Sequence, residues 1–450
     1  MQEVELWTLI PFALMLLGIA VCPFIAGEWW EKNANKLLFS LALGVPTSLY
    51  LCYIGLGERV LHQMLYDYVP FIALLCALFV VTGGLYRSGN MAAKPATNTA
   101  ILAAGFVLAS LIGTTGAAML LIRMLIDVNR SRRHKIHTML FFIAVVANCG
   151  GVLTPLGDPP LFLLYLRGVE FTWFLKLLPQ WLFTGAMLLL MYYIADNHYY
   201  NNERKLAAQL RKRPVGGYFD AVVETQPEEP AVPTKAEFKG LVNVVYLLVI
   251  LFAVAFINPG QIPAMGEHDA PLYMKFLREI VLVAVILISM LTTKRSVREA
   301  NHFTWTPIIE VAVLFVGIFS TMTPAMIYLN ANASSLGLDA PWQFYYSTGL
   351  LSSFLDNAPT AVAFYTIATG LPIAEGVATV ASIPEVLMKA ISLGAVFFGS
   401  MTYIGNGPNF MIKSIAEENG IAMPSFFGYI FKFSIAVLLP VYVLVQVIFF

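Results

Sequence analysis

Two polar segments, 151–162 and 399–410, each interrupt an apolar run and share one pattern of residues. They lie about 248 residues apart, and without a gap they align at Gly, Thr, Gly, Pro and Phe. Glycine and proline break helices, and irregular backbone persists in lipid only where protein or a water-filled cavity satisfies its N–H and C=O groups. Paired breaks in corresponding halves are typical of transport sites. We therefore expect two related halves, each with a helix broken in its middle.

The composition places the chain among membrane proteins. Of its 450 residues, 58% are hydrophobic and 12% are charged, and the mean hydropathy is +0.74. A soluble chain contains about 25% charged residues and lacks repeated apolar runs of about 20 residues, the length that crosses a bilayer as a helix. We therefore predict an all-α polytopic membrane protein with the lipid bilayer as a partner, and we expect no nucleic-acid partner.

The apolar runs predict about ten membrane spans, two of them broken. Two further segments, 98–126 and 342–370, carry a polar, helix-breaking tip in the middle, which suits a re-entrant hairpin. Residues 1–195 and 241–450 then each hold about five spans and one hairpin in the same order. Because an odd number of spans reverses the orientation, the halves would form an inverted repeat. The predicted spans are 6–26, 36–55, 66–84, 135–165 (broken), 174–195, 241–257, 272–292, 306–330, 386–416 (broken) and 426–449.

Lysine and arginine support this arrangement, because cytoplasmic loops collect them. It places the basic loops on one side, whereas the loops 258–270 and 330–341 on the other side contain no Lys or Arg. Both termini are therefore predicted to lie outside. The middle loop, 196–240, is polar and rich in Pro and Glu, which predicts a cytoplasmic linker between the halves. The basic residues are Arg130, Arg132, Arg133, Lys135, Arg204, Lys205, Arg211, Lys212, Arg213, Lys294, Arg295 and Arg298.

Two aspartates at predicted membrane depth are the strongest candidates for function, because ionisable groups are costly there. Asp158 lies at the first break and Asp356 at the second hairpin tip, each shortly before a proline at a predicted helix start. That position also suits an Asp that only caps the helix. The aligned half, however, has Asn406 in place of Asp158 and Gly113 in place of Asp356. The turns therefore need no carboxylate, and we favour an ion-binding role for both aspartates over capping alone.

Neutral oxygens near these aspartates complete the predicted site. With the carbonyls freed at the breaks, they suit a small hard cation. Each Ser or Thr could instead bond its own helix backbone. Glu310, near the cytoplasmic end of the eighth span, is assigned a proton relay or a salt bridge at the membrane border, with equal weight. The neutral candidates are Thr114, Thr115, Asn148, Thr154, Ser352, Ser353, Asn357, Thr360, Thr402, Asn406 and Asn409.

The segments ANCGGVLTPLGDPPLF (147–162) and SFLDNAPT (353–360) resemble motifs of NhaD-type sodium/proton antiporters. These belong to the ion transporter superfamily, which also holds citrate, dicarboxylate and arsenite carriers. The resemblance covers roughly 85–170 and 306–430. It implies that the hairpins and broken helices form a transport domain, which moves against a scaffold of the other spans in a homodimer. One departure is Leu161, where many members have Asn, although the second half keeps Asn409.

Three functions compete on these grounds. The favoured one is elevator-type exchange of Na⁺ or Li⁺ for H⁺ in a bacterial inner membrane, with the ions competing for Asp158 and Asp356. It needs no cofactor, and since the chain has no Walker-type loop we expect a transporter and not an enzyme. The alternative is an organic-anion (citrate or dicarboxylate) or arsenite carrier on the same fold, although ionised aspartates repel a free polycarboxylate. An intramembrane aspartyl protease that uses Asp67 and Asp158 would leave the repeat unexplained.

Overall fold

The structure, a computed structural model, describes residues 4–88, 91–211, 237–267 and 269–450. Regular structure in these ranges is almost entirely helical, and seven of the helical segments there are long and apolar enough to cross a membrane. The predicted all-α polytopic membrane fold is therefore confirmed. The seven segments are Leu6–Pro23, Asn33–Tyr53, Gly57–Thr82, Pro95–Ile112, Phe171–Gln209, Thr306–Ala331 and Phe426–Phe449.

The helices and strands follow the predicted order of segments. Up to the middle loop they are α1 (Ile10–Ile25), α2 (Gly27–Trp30), α3 (Asn33–Tyr53), α4 (Gly57–Gln63), α5 (Val69–Thr82), β1 (Tyr86–Ser88), α6 (Pro95–Ile112), α7 (Thr114–Val128), α8 (Ile136–Val145), α9 (Pro159–Leu166) and α10 (Leu178–Arg211). After it come β2 (Glu237–Lys239), α11 (Val242–Phe256), α12 (Leu272–Lys275), α13 (Leu277–Thr292), α14 (Arg295–Ala300), α15 (Thr306–Ala331), α16 (Pro341–Phe354), α17 (Asn357–Thr369), β3 (Thr379–Val380), β4 (Ile383–Pro384), α18 (Glu385–Phe398), α19 (Gly407–Glu418), α20 (Phe426–Tyr429) and α21 (Leu439–Phe449).

Both helices predicted to be broken are interrupted. We call residues 146–158, between α8 and α9, the first break, and residues 399–406, between α18 and α19, the second break. Each contains a short 3₁₀ turn. A Cβ on Gly157 would overlap the carbonyl oxygen of Gly151, and a Cβ on Gly405 would lie 2.6 Å from that of Gly399. The glycines that the two segments share are therefore required because the chain folds back closely on itself.

The two segments predicted as hairpins are also divided at their predicted tips. The helices α6 and α7 meet at Gly113, whose φ of +82° favours glycine. The helices α16 and α17 are joined through Leu355 and Asp356. The arm α6 has 18 residues and is one of the segments long enough to cross a membrane.

The start of the predicted linker is helical, which corrects its boundary. Helix α10 continues the fifth span to Arg211, because Asp196 is buried and bonded to Arg132 and Asn98 instead of facing solvent. Residues 212–236, including Lys212 and Arg213, lie outside the described residues. The end of the linker is held as β2, which pairs with β1 in an antiparallel ribbon.

The helices pack in two groups. One group contains α1, α3, α5, α11, α13 and α15, and the other contains the hairpins, the broken helices, α10 and α21. The fifth and tenth spans thus pack with the hairpins, whereas the family resemblance implies that they belong to the scaffold. Aromatic contacts explain this: Trp181 of α10 stacks on Phe106 of α6 at 4.3 Å, and Tyr345 of α16 donates a hydrogen bond to the Tyr442 carbonyl of α21 at 3.1 Å.

Candidate functional site

Asp158 lies in the interior, where the two halves of the chain meet. The residue is 1% exposed. Its Oδ1 accepts hydrogen bonds from Thr114 Oγ1 at 2.7 Å and Asn406 Nδ2 at 3.3 Å, and its Oδ2 accepts one from Asn357 Nδ2 at 2.5 Å. Thr114 and Asn357 begin the helices that follow the two hairpin tips, and Asn406 lies in the second break. Neutral donors from both halves therefore converge on one carboxylate.

Asp158 precedes α9 but its side chain does not cap that helix. Its backbone angles, φ −147° and ψ 145°, are close to those of Asn406, φ −151° and ψ 140°. The two breaks therefore have the same backbone conformation at this aligned position, one with a carboxylate and the other with an amide. The turn itself does not require the charge of Asp158.

Asp356 differs from Asp158 because it does cap its helix. Its Oδ1 accepts a hydrogen bond from the Ala358 N–H at 3.0 Å, and the residue is half-buried. Its φ of −56° also differs from the +82° of Gly113. The backbone of the first tip therefore differs from that of the second, so Gly113 does not show that the turn at Asp356 forms without a carboxylate. Asp356 combines a structural cap with a position directly before Asn357.

Three asparagines form a hydrogen-bonded chain beside Asp158. Asn406 Nδ2 also donates to Asn148 Oδ1 at 3.2 Å, and Asn148 Nδ2 donates to Asn409 Oδ1 at 2.8 Å. Asn409 Nδ2 in turn donates to the Gly399 carbonyl at 2.7 Å. These amides satisfy backbone groups that the breaks leave free, and they connect the first break to the second.

Two predicted threonine ligands instead join each break to its hairpin. Thr154 Oγ1 donates to the Ser110 carbonyl, and Thr402 Oγ1 donates to the Ser353 carbonyl. Each Oγ1 also accepts the backbone N–H two residues later, at 3.2 Å in both cases. The same pair of bonds therefore supports both breaks, as expected for hydroxyls that bond the backbone.

The remaining hydroxyl candidates also bond the backbone. Ser352 donates to the Ala395 carbonyl at 2.6 Å, Ser353 donates to the Gly349 carbonyl at 2.9 Å, and Thr360 donates to the Asp356 carbonyl at 2.8 Å. None of these three hydroxyls bonds to Asp158 among the described contacts. Their placement agrees with the structural alternative that the sequence left open.

Glu310 forms an ion pair with Lys36 at 2.6 Å. Its side chain is 40% exposed, while that of Lys36 is 5% exposed. The pair joins α15 to α3, within the group of helices that excludes the breaks. This contact is one of the two predicted roles of Glu310, a salt bridge, and not the proton relay.

A cavity of about 70 Å³ lies beside the first hairpin tip, between it and the helices α5 and α15. Its wall is mostly apolar, and it includes half-buried Thr115 and the residues on either side of Asp158. The cavity therefore lies next to the buried carboxylate of Asp158. The lining residues are Leu75, Leu78, Phe79, Ile112, Gly113, Thr114, Thr115, Gly116, Leu156, Gly157, Pro159, Pro307, Ile308 and Val311.

No Lys or Arg pairs with Asp158 or Asp356 within the described parts of the chain. The same residues contain no group of three or more His, Cys, Asp and Glu side chains that could hold a metal ion. A cation here would therefore bind to Asp158 and to amide or carbonyl oxygens. The buried basic residues have other partners: Lys36 with Glu310, Arg132 with Asp196 and Glu203, Arg278 with Glu279, and Arg298 with the carbonyls of Val80 and Ser289.

Paired helix breaks around a buried polar site are typical of membrane transporters, and a comparison with models of protein families agrees with this. A family model, CitMHS_2, described as "Putative citrate transport", matches residues 1–450. The chain belongs to this citrate transport family. Membership in this family supports the conclusion that the chain is a multi-pass membrane transporter of the citrate-transporter type. A search of curated proteins found no match to the chain.

In this member of the citrate transport family, the region of the site contains two further residues, Ser110 and Tyr442, that the sequence does not predict. Ser110 Oγ donates to the Gly150 carbonyl at 2.5 Å, and Tyr442 reaches both breaks. Alignment of the hairpins would have found Ser110, because it precedes Gly113 by the same interval that separates Ser353 from Asp356. Nothing in the sequence marks Tyr442, since aromatic residues are common in apolar helices.

Proposed function

We propose that this protein is a secondary active transporter that exchanges Na⁺ or Li⁺ for H⁺ at Asp158. The supporting observation is that this buried carboxylate receives only neutral donors and has no basic partner within the described residues. A carboxylate is costly to hold ionised at membrane depth. A proton or a small cation would remove that cost, and one site cannot hold both at once.

The same competition provides the coupling between the two fluxes. We propose that the helices carrying the breaks move relative to the group that contains α3, α5, α13 and α15. An empty, ionised site would then have to cross the low-dielectric interior, which is unfavourable, whereas a site neutralised by a proton or a cation crosses more easily. Exchange follows without ATP. Asp356 would contribute a second carboxylate at the hairpin tip.

Family membership favours a second candidate, the carriage of citrate or a similar anion. The helices α7, α9, α17 and α19 all begin at the breaks or hairpin tips, so the positive ends of their dipoles lie near the site and would attract an anion. The two aspartates would repel free citrate. We therefore propose that an anion would enter this site as a complex with a metal cation.

Ion flux in everted membrane vesicles tests the first candidate against the second. Addition of Na⁺ or Li⁺ to acidified vesicles should collapse the pH gradient, and the apparent cation affinity should weaken about tenfold for each pH unit lost where one proton competes. The variant Asp356→Asn should abolish the response, while Glu310→Gln should retain it. Uptake of labelled citrate with no Na⁺ or Li⁺ response would replace exchange with anion carriage.

Location and assembly are part of the same proposal. Charge asymmetry supports both termini outside the cytoplasm of a bacterial inner membrane. A reporter active only outside the cytoplasm should function after Phe450, and a cytoplasmic reporter should function near Gly216. A cytoplasmic Phe450 would overturn the inverted orientation of the halves. Cross-linking in membranes would test the homodimer.

A further inference from the structure

Tyr442 is fully buried in α21, and its hydroxyl lies between the two breaks. The hydroxyl oxygen is 3.3 Å from Cys149 Sγ and 2.6 Å from Ser400 Oγ. Ser400 already donates its single hydroxyl hydrogen to the Phe397 carbonyl at 2.6 Å. Tyr442 is therefore the donor to Ser400, which leaves it free to accept from the Cys149 thiol.

The two partners of Tyr442 are each one residue from the asparagine chain. Cys149 follows Asn148, whose amide bonds to Asn406 and Asn409. Ser400 follows Gly399, whose carbonyl accepts from Asn409. A shift of either partner would therefore move the groups that hold Asn406 against Asp158.

Two other aromatic side chains donate hydrogen bonds to the breaks, and each of them bonds only one break in the described contacts. Trp181 of α10 donates to the Gly150 carbonyl in the first break at 3.1 Å. Tyr429 donates to the Ser400 carbonyl in the second break at 2.7 Å. Tyr442 instead bonds to side chains of both, and the rings of Phe397 and Phe398 pack against it with centroids 5.5 and 5.1 Å away.

We propose that Tyr442 is a positioning residue that holds the two breaks in register, so that Asn148 keeps the amide of Asn406 against Asp158. It touches no transported ion itself. This inference rests on the proposed ion site at Asp158 only for its effect on transport. Its effect on the backbone of the breaks is independent of what the protein carries.

The test compares Tyr442→Phe with Tyr345→Phe in the purified full-length protein. Tyr345 is also fully buried, but among the described contacts its hydroxyl bonds only the Tyr442 carbonyl. Hydrogen–deuterium exchange should become several-fold faster in both breaks in Tyr442→Phe and should stay unchanged in Tyr345→Phe. Unchanged exchange in Tyr442→Phe, or exchange that rises in only one break, would overturn the proposal whatever the substrate.

Transport kinetics then test the link to the site. In Tyr442→Phe we expect the KM for the transported species to rise about tenfold, as for residues that orient ligands, with kcat and thermal stability nearly unchanged. Tyr345→Phe should keep the parental KM. Equal losses of stability and KM in both variants would make Tyr442 a packing residue only. The assay uses Na⁺, and labelled citrate if the parent protein shows no cation flux, so a failure of the proposed exchange is recognised separately.

Discussion

The first and second breaks share a backbone but differ in charge. Both use a threonine to bond the carbonyl of a hairpin serine, and both need a glycine where the chain folds back. At the equivalent position one carries Asp158 and the other Asn406, with nearly the same φ and ψ. The shared residues are therefore those that make an irregular backbone stable in a membrane, and we propose that the residue that differs, Asp158, carries the function.

The two hairpin tips differ as well, and here the second half carries the aspartate. The first tip has Gly113 with positive φ followed by Thr114, while the second has Asp356 followed by Asn357. Each half thus contributes one aspartate, but from different elements. Asp158 of the first break bonds with Asn357 of the second tip, so the site is complete only when both halves are folded together.

The largest effect on transport is expected from a change at Asp158, the position where the two breaks differ in charge. Asp158→Asn should reduce ion-coupled transport to the level of vesicles without the protein, because it removes the group for which we propose that proton and cation compete. The variant should still fold, since Asn406 adopts the same backbone conformation. Flux assays and size-exclusion chromatography measure the two properties. Parental transport by a folded Asp158→Asn variant would contradict an ion-binding role.

A charge exchange between the breaks should restore part of that loss. In the double variant Asp158→Asn with Asn406→Asp, the carboxylate moves to a side chain whose amide lies 3.3 Å from Asp158. We expect transport to exceed that of Asp158→Asn alone by about tenfold, within the coupling range of contacting residues. The paired flux assays measure the coupling. Equal inactivity of both variants would mean that the breaks are not interchangeable in charge.

Removal of single donors to Asp158 should have a smaller effect. Thr114→Val and Asn357→Ala each delete one hydrogen bond to the carboxylate. Such bonds to charged groups contribute about 1.5 kcal/mol or more, so the half-saturating cation concentration should rise at least about tenfold. Cation titration of vesicle flux measures this. Thr115→Val is the matched control, because Thr115 lines the cavity without bonding Asp158 among the described contacts.

The sequence predicted the helical class, the breaks and the position of Asp158, because each depends on local chemistry. Apolar run length identifies spans, and glycine and proline in such runs identify breaks. It could not distinguish the roles of the polar side chains. Asp356 and Asp158 look alike in the sequence, yet only Asp356 caps its helix, since capping depends on a single rotamer.

Contacts between distant segments account for the other differences. The extension of α10 to Arg211 reflects burial of Asp196 against Arg132, and the partner of Glu310 is Lys36 from a helix far away in sequence. Polarity alone predicted a linker in the first case and left two roles open in the second. In both cases a contact with a residue that is distant in the sequence determines the role of the acidic side chain, and no local sequence pattern identifies that residue.

The smallest effect on transport is expected from changes at positions where the two breaks are alike. Thr154→Val and Thr402→Val each remove the bond between a break and its hairpin serine carbonyl while keeping the shape of the side chain. Each hydroxyl also accepts a backbone N–H, so each variant should lower the free energy of unfolding by about 1–3 kcal/mol, the cost of leaving a buried polar group without its partner. Because neither hydroxyl bonds Asp158 among the described contacts, the half-saturating cation concentration should stay at the parental value. Thermal unfolding in detergent and cation titration measure the two quantities. A change of cation affinity in Thr154→Val but not in Thr402→Val would show that the first break differs from the second in more than its aspartate, and Thr154 would then join the ion ligands.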